Sequence, residues 1–224
     1  MRVTIERLSP RAEIAIVVLG AFGYFIAAEL WHLAYPVEGH ISEAHLQWLL
    51  VYEPIVAVIL LAFLRLRGWT WIRLGLRLRW LDPLLGVLAA IVLYGMINVV
   101  WLLAMSVSSN AVEAATDQSF IASDYGLDTV LAVSLVNPVF EEMFVVGYLV
   151  TALRQRAPAW VAIGASTALR LVYHLYQGPG AVLTIVPWGL IFGWAFTRWG
   201  RLWPLIVAHG LFDFVGLARF VDPE

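Results

Sequence analysis

From Pro83 to Val112 the chain carries no charged side chain. A bilayer core about 30 Å thick takes roughly 20 apolar helical residues per crossing, so a run of this length fits a membrane span and not the face of a soluble helix. Comparable apolar blocks recur along the sequence. We place seven spans at 12–34, 45–64, 84–106, 129–151, 158–177, 180–198 and 202–220. Only helices or closed barrels satisfy the backbone in lipid, and unbroken apolar blocks lack the alternation of barrel strands. Charged residues make up 13% of the 224, about half the share usual in soluble domains. The sequence therefore predicts an all-α, polytopic transmembrane helical bundle of about seven spans, a single integral membrane domain over 1–224.

Charge placement tests the number of spans. Threading seven helices puts segments 1–11, 65–83, 152–157 and 198–201 on the side of the N-terminus. These segments hold twelve of the fourteen basic residues, and all fourteen are arginine. Glu38, Glu43, Glu113, Asp117, Asp124, Asp222 and Glu224 fall on the other side. Positive residues stay inside, which predicts a cytoplasmic N-terminus, an outer C-terminus and residence in the plasma (inner) membrane. The first block is too long for a signal-peptide core and is kept as a span. Segment 65–83 interleaves Arg with Trp and Leu, as in a stretch lying at the inner interface. Segment 107–128 reads as a polar outer loop. The charge balance gives no sign of a nucleic-acid partner. There is no cysteine, which excludes disulfides, thiolate catalysis and Cys-ligated metals. Arginine without lysine points to a GC-rich, prokaryotic source.

An ionisable group inside a bilayer costs at least a few kcal/mol and is a functional suspect. The spans contain Glu29, His32, Glu53, Asn98, Asn137, Glu141, Glu142, Arg170, His174, His209 and Asp213. Most of the ionisable ones fall in the last four helices, which makes 127–220 the expected catalytic core, with 12–106 as three N-terminal spans. Glu29 and Glu53 read as interfacial or interhelical, with a place in the wall of the same cavity as the alternative. Adjacent helical residues point about 100° apart, so one of Glu141 and Glu142 faces a site and the other a neighbouring helix. Arg170 and His174 share a face at i, i+4, and so do His209 and Asp213. A glutamate with two histidines and an aspartate suits water activation: the Glu takes a proton from water and the histidines hold the water and the oxyanion. The same groups suit a zinc ion held by two His and a carboxylate, or the proton relay of a transporter.

Glu141-Glu142, His174 and the run FGWAFTRWGRLWPLIVAHGLFDF together resemble the CAAX protease and bacteriocin-processing (Abi) family, which includes the type II CAAX prenyl endopeptidases. The likeness covers about 127–217. Its most specific part is Gly193, Trp194, Arg198, Gly200, Leu202, Trp203 and Pro204, followed by His209 and Asp213. The resemblance implies an intramembrane endopeptidase that cleaves a membrane-associated peptide or protein without a metal or other cofactor. It implies Glu141 as the water-activating base, Glu142 in support, His174 assisting, and His209 with Asp213 on the oxyanion side. Two positions depart from the family pattern. Val146 stands where Glu-Glu-x-x-x-Arg has its arginine, and Arg170 where Phe-x-x-x-His has its phenylalanine. A swap accounts for both if Arg170 pairs with Glu142. The alternative is an inactive member acting as a scaffold, immunity protein or transporter.

Depth counting leaves one tension. At 1.5 Å per residue, Glu141 and Asp213 lie about 15 Å from the inner ends of their predicted helices, and His209 about 10 Å. His174 comes out at about 24 Å, which calls for a displaced or tilted fifth helix. The cavity itself is expected to open to the cytoplasm.

Overall fold

A computed structural model of the protein describes residues 8–35, 41–108 and 125–221. These residues form seven α-helices and no strand. In chain order they are α1 Pro10–Ala34, α2 Glu43–Leu66, α3 Asp82–Val107, α4 Leu127–Arg154, α5 Ala159–Val172, α6 Ala181–Trp199 and α7 Trp203–Leu217. All but α5 are long and apolar enough to cross a bilayer. The apolar side chains of α1, α2 and α3 that face outward, among them Leu19, Val58, Ile91 and Leu103, are mostly exposed. A continuous apolar surface of that extent belongs against lipid. The chain is a multi-pass membrane protein.

Local chemistry sets the helix ends. The Ser9 and Ser42 hydroxyls accept from the backbone N–H of Ala12 and His45 and cap α1 and α2. Pro83 and Pro204 sit in the first turns of α3 and α7, where a missing N–H costs nothing. Gly200 ends α6 in the left-handed region at φ 61°.

The helix ends gather on two faces, as alternating crossings require. On the first, Arg67 Nε donates to Glu13 at 2.6 Å, joining the end of α2 to the start of α1. Trp69 and Tyr148 bring the 65–83 segment and α4 to the same carboxylate. Arg201 pairs with Asp82, and Arg154 Nη1 donates to the Thr197 carbonyl. Ten of the family of basic residues assigned to this side are described, and all lie at these ends. We call it the arginine face. Segment 65–83 is turn-rich and not a surface helix. Trp69 and Leu74 are buried under the bundle while Ile72 and Trp80 stay exposed. Gly75 closes its tight turn at φ 78°, and its carbonyl accepts from Leu202 N–H. On the opposite face Tyr125 Oη donates to the Ile41 carbonyl at 2.5 Å and Thr129 Oγ1 to Glu43 at 2.5 Å. Tyr125 N–H donates to the Phe220 carbonyl there too. Most of the polar loop expected at 107–128 lies outside the described residues, as do Arg2 and Arg7.

α4 is the central helix. Two-thirds of its apolar window is buried (67%), against 17–39% for the other five long helices. It packs against α2 and α7, while α3 packs on α7 and α5 on α6. After Glu141 it widens into a π-helical stretch, Glu142–Tyr148, before returning to α. Such widened turns are rare and occur mostly at functional sites.

The fifth span differs from the expected 158–177. Regular helix stops at Val172, so α5 is 14 residues long, about 21 Å and short of a full crossing. His174 explains the stop. Its ring Nδ1 stands 2.9 Å from the Arg170 carbonyl, the acceptor that its own backbone N–H would take in a continuing helix. That N–H turns to Leu171 instead, and Gly178, Pro179 and Gly180 follow. The observed ends bring Glu141 and His174 to similar depths. α4 runs to Arg154, which places Glu141 about 20 Å from the arginine-face end. Counted from Ala159, His174 lies at about 22 Å.

Candidate active site

The Glu-Glu pair occupies the junction where α4 changes winding. Glu142 is fully buried and Glu141 nearly so. As the 100° rule predicts, they point differently: Glu141 lines a cavity, and Glu142 is turned into the protein. Glu142 Oε1 is held twice, by Arg170 Nη2 at 2.8 Å and by His209 Nδ1 at 2.7 Å. Glu141 Oε2 accepts from Tyr173 Oη at 2.6 Å and from Arg170 Nη1 at 3.2 Å. Asn137, one turn earlier, donates to Glu141 Oε1 at 3.3 Å.

Arg170 is the largest fully buried side chain in the protein. One fork contacts both carboxylates, which is the swap expected from the sequence. An unpaired ion here would cost several kcal/mol, so the pairing is what permits two acids and an arginine at mid-bilayer. Val146 is buried within the π-wound stretch. The indole of Trp188 lies 5.9 Å from the Arg170 guanidinium and meets the His209 ring edge-on at 4.8 Å.

His209 stands between two acids, with Nδ1 on Glu142 and Nε2 at 3.3 Å from Asp213 Oδ1. The ring can donate to both only as imidazolium. Gly210 makes this placement possible. A Cβ there would stand 2.5 Å from the Ser134 carbonyl oxygen, so only glycine lets α7 approach α4 this closely. His174 faces the same cavity. A carbonyl can only accept, so Nδ1–H donates to Arg170 and the neutral ring keeps its Nε2 lone pair.

The cavity has a volume of about 400 Å³. Glu141, Arg170, His174, His209 and Asp213 all line it, so five of the six expected site residues meet there and Glu142 supports them from behind. Most lining residues come from the half of the bundle away from the arginine face, with Glu141 and His209 near the middle of their helices. α1 contributes Phe22 to Glu29, α2 His45 to Glu53, and α7 His209 to Leu217, with Ile41, Gln177, Arg219 and Phe220 at the far rim. The cavity therefore lies towards the end of the bundle opposite the arginine face, the end from which α4 enters. Among the described residues no three His, Asp or Glu side chains converge as metal ligands.

Residues 125–215 match the family described as Type II CAAX prenyl endopeptidase Rce1-like. Over this segment, which is less than half of the chain, the protein is similar to that family. The match starts at Tyr125, just before α4, and ends at Val215 in α7, so it takes in the whole expected site. It leaves α1 to α3 outside. Neither curated proteins nor solved structures gave a match to the chain. The Rce1-like family is one of intramembrane proteases, and hydrolase chemistry is the general activity that goes with it.

The Rce1-like segment does not complete the site alone. Glu53 of α2 is 1% exposed and lines the cavity, and its Oε1 accepts from Asn137 Nδ2 at 2.7 Å. The Asn137 amide thus bridges Glu53 and Glu141. The sequence reads Glu53 as interfacial or interhelical, or as lining the same cavity, and the last is what the structure has, while Asn137 is given no role. The i, i+4 spacing of Asn137 and Glu141 was the available signal. Nothing in the sequence brings Glu53 to them. Glu29 of α1 is also buried in the cavity wall. Tyr173 was missed because it lies just beyond the end of regular helix, where face arithmetic stops applying.

Proposed function

We propose that the protein is a glutamate-type intramembrane endopeptidase of the CAAX protease family that hydrolyses a membrane-associated peptide or protein. The observation that carries this reading is that the Glu141 carboxylate, His174 and His209 line one cavity. Glu141 and His174 Nε2 hold a water. Glu141 takes one proton as the water oxygen attacks the peptide carbonyl carbon. The carbonyl oxygen becomes an oxyanion facing His209, whose Nε2–H has only the longer, 3.3 Å contact to Asp213 and is the available donor. Glu141 then passes its proton to the amide nitrogen, the C–N bond breaks, and an acid and an amine leave. Glu142 and Arg170 fix the positions of His209 and Glu141. No cofactor takes part in these steps. We place the protein in the plasma membrane with the arginine face cytoplasmic, following the positive-inside rule.

Cleavage of peptides by purified protein in liposomes, wild type against Glu141→Gln, tests the proposal. Equal activity of the two would overturn it. A second reading, an inactive member serving as a membrane scaffold, is favoured by one contact. The Arg170–Glu141 bond at 3.2 Å, added to Tyr173 and Asn137, occupies much of the capacity of a would-be base. Loss of all cleavage across a broad peptide set would favour it.

A further inference from the structure

The cavity and the arginine-rich loops lie at opposite ends of the bundle, and neither observation depends on the other. The first comes from the lining residues, most of them in the half that ends at Ile41, Gln177 and Phe220. The second comes from the sequence, in which twelve of fourteen arginines sit on the N-terminal side. Arginine-rich loops stay in the cytoplasm. We infer that the site is reached from the extracytoplasmic side, and that its substrate is an extended, apolar peptide segment presented at the outer leaflet. The identity of this occupant rests on the hydrolase reading above; the face on which the cavity opens does not.

The occupant follows from the shape and chemistry of the cavity. About 400 Å³ is near the low end of the range for pockets that enclose small ligands. It admits a few side chains of an extended chain and no folded domain. Phe22, Phe25, Phe140, Trp188 and Phe212 give apolar walls, and Glu29, His45, Gln177 and Arg219 add polar groups between the rim and the floor around Glu141. A segment entering here meets aromatic walls for its apolar side chains and a few polar partners, and reaches the water-activating groups only near mid-bilayer. The cavity at the opposite end, about 180 Å³ beside Glu13, Arg67 and Gln155, is lined by none of the expected site residues. Trp69 and Leu74 are buried beneath the bundle there, and Gly75 ties that segment to the start of α7.

The absence of cysteine makes the test direct. Gly216 lines the cavity near its rim, and a Cβ added there meets nothing within 4 Å, so Gly216→Cys reports the cavity without disturbing it. Gln155→Cys reports the arginine face, where Gln155 is exposed. Both are labelled with a charged, membrane-impermeant maleimide in intact cells and in inverted vesicles. The expected result is labelling of Gly216→Cys at least tenfold faster in cells than in inverted vesicles, with the reverse for Gln155→Cys. The opposite pattern, or a Gly216→Cys unreactive from both sides, would overturn the inference. A quenched fluorescent library of apolar peptides, supplied outside sealed right-side-out vesicles, then tests the occupant against Glu141→Gln. Cleavage from outside supports it, and cleavage only in inverted vesicles overturns it. No cleavage in either orientation, with Gly216→Cys still labelled from outside, would overturn the peptide occupant and leave the open face standing.

Discussion

Arg170 on α5 bridges the two carboxylates of Glu141 and Glu142 on α4, with Nη2 2.8 Å from Glu142 and Nη1 3.2 Å from Glu141. Removing one partner of a buried ion pair costs about 3–5 kcal/mol. Arg170→Ala should therefore lower the melting temperature in detergent and abolish cleavage. Arg170→Lys should recover part of the stability and little of the activity, because an ammonium cannot reproduce the two-pronged contact. Thermal unfolding beside peptide hydrolysis checks both. An Arg170→Ala protein with unchanged melting and activity would refute the pairing.

Glu141→Gln should separate folding from chemistry. The amide keeps the size of the side chain and can still accept from Tyr173, and Arg170 keeps its closer partner Glu142, so melting should fall much less than in Arg170→Ala. Hydrolysis should fall by roughly 10²–10⁴-fold, the usual contribution of a general base.

The bridge from Glu53 through Asn137 to Glu141 predicts coupled effects across two helices. Glu53→Ala and Asn137→Ala should each reduce kcat about tenfold, equivalent to ~1.4 kcal/mol, with KM nearly unchanged. The double variant should be little worse than either single one, since both remove the same hold on Glu141. Fully additive losses in the double-mutant cycle would show that Glu53 acts by some route other than Asn137.

Gly210→Val should push α7 away from α4, because a Cβ at this position meets the Ser134 carbonyl oxygen at 2.5 Å. Overpacking of this kind costs about 1–3 kcal/mol. The His209–Glu142 contact should be lost with it, so activity should fall even where folded protein is recovered. Gly164→Ala is a control, since a Cβ there meets nothing within 4 Å.

Much of this could be read from the residues in order. Apolar blocks and arginine positions gave the crossings, because lipid imposes one length and one charge rule on every span. The 100° step between Glu141 and Glu142 separated a cavity-facing acid from a buried one. Spacing also put His209 with Asp213. What escaped depended on geometry that no period encodes. The end of α5 is set by the His174 ring taking the Arg170 carbonyl, and a hydropathy window counts straight through that turn. Glu53 joined the site through a neighbour 84 positions away along the chain. The side on which the cavity opens depended on which half of each helix lines it, and single-residue depths did not carry that information.

The contact of α2 with α4 and of α3 with α7 bears on how such a protein can be inherited or rearranged. The family likeness begins at Tyr125, yet no seam in the molecule coincides with that point. Cut away from its first three helices, the segment 125–215 would leave Asn137 without Glu53 and expose the shielded flanks of its central helix to lipid. The recognisable part is thus not a portable one: gene fusion or truncation at this boundary would cut through one folding unit, and α1 to α3 must evolve in step with a site to which the family signature assigns them no part.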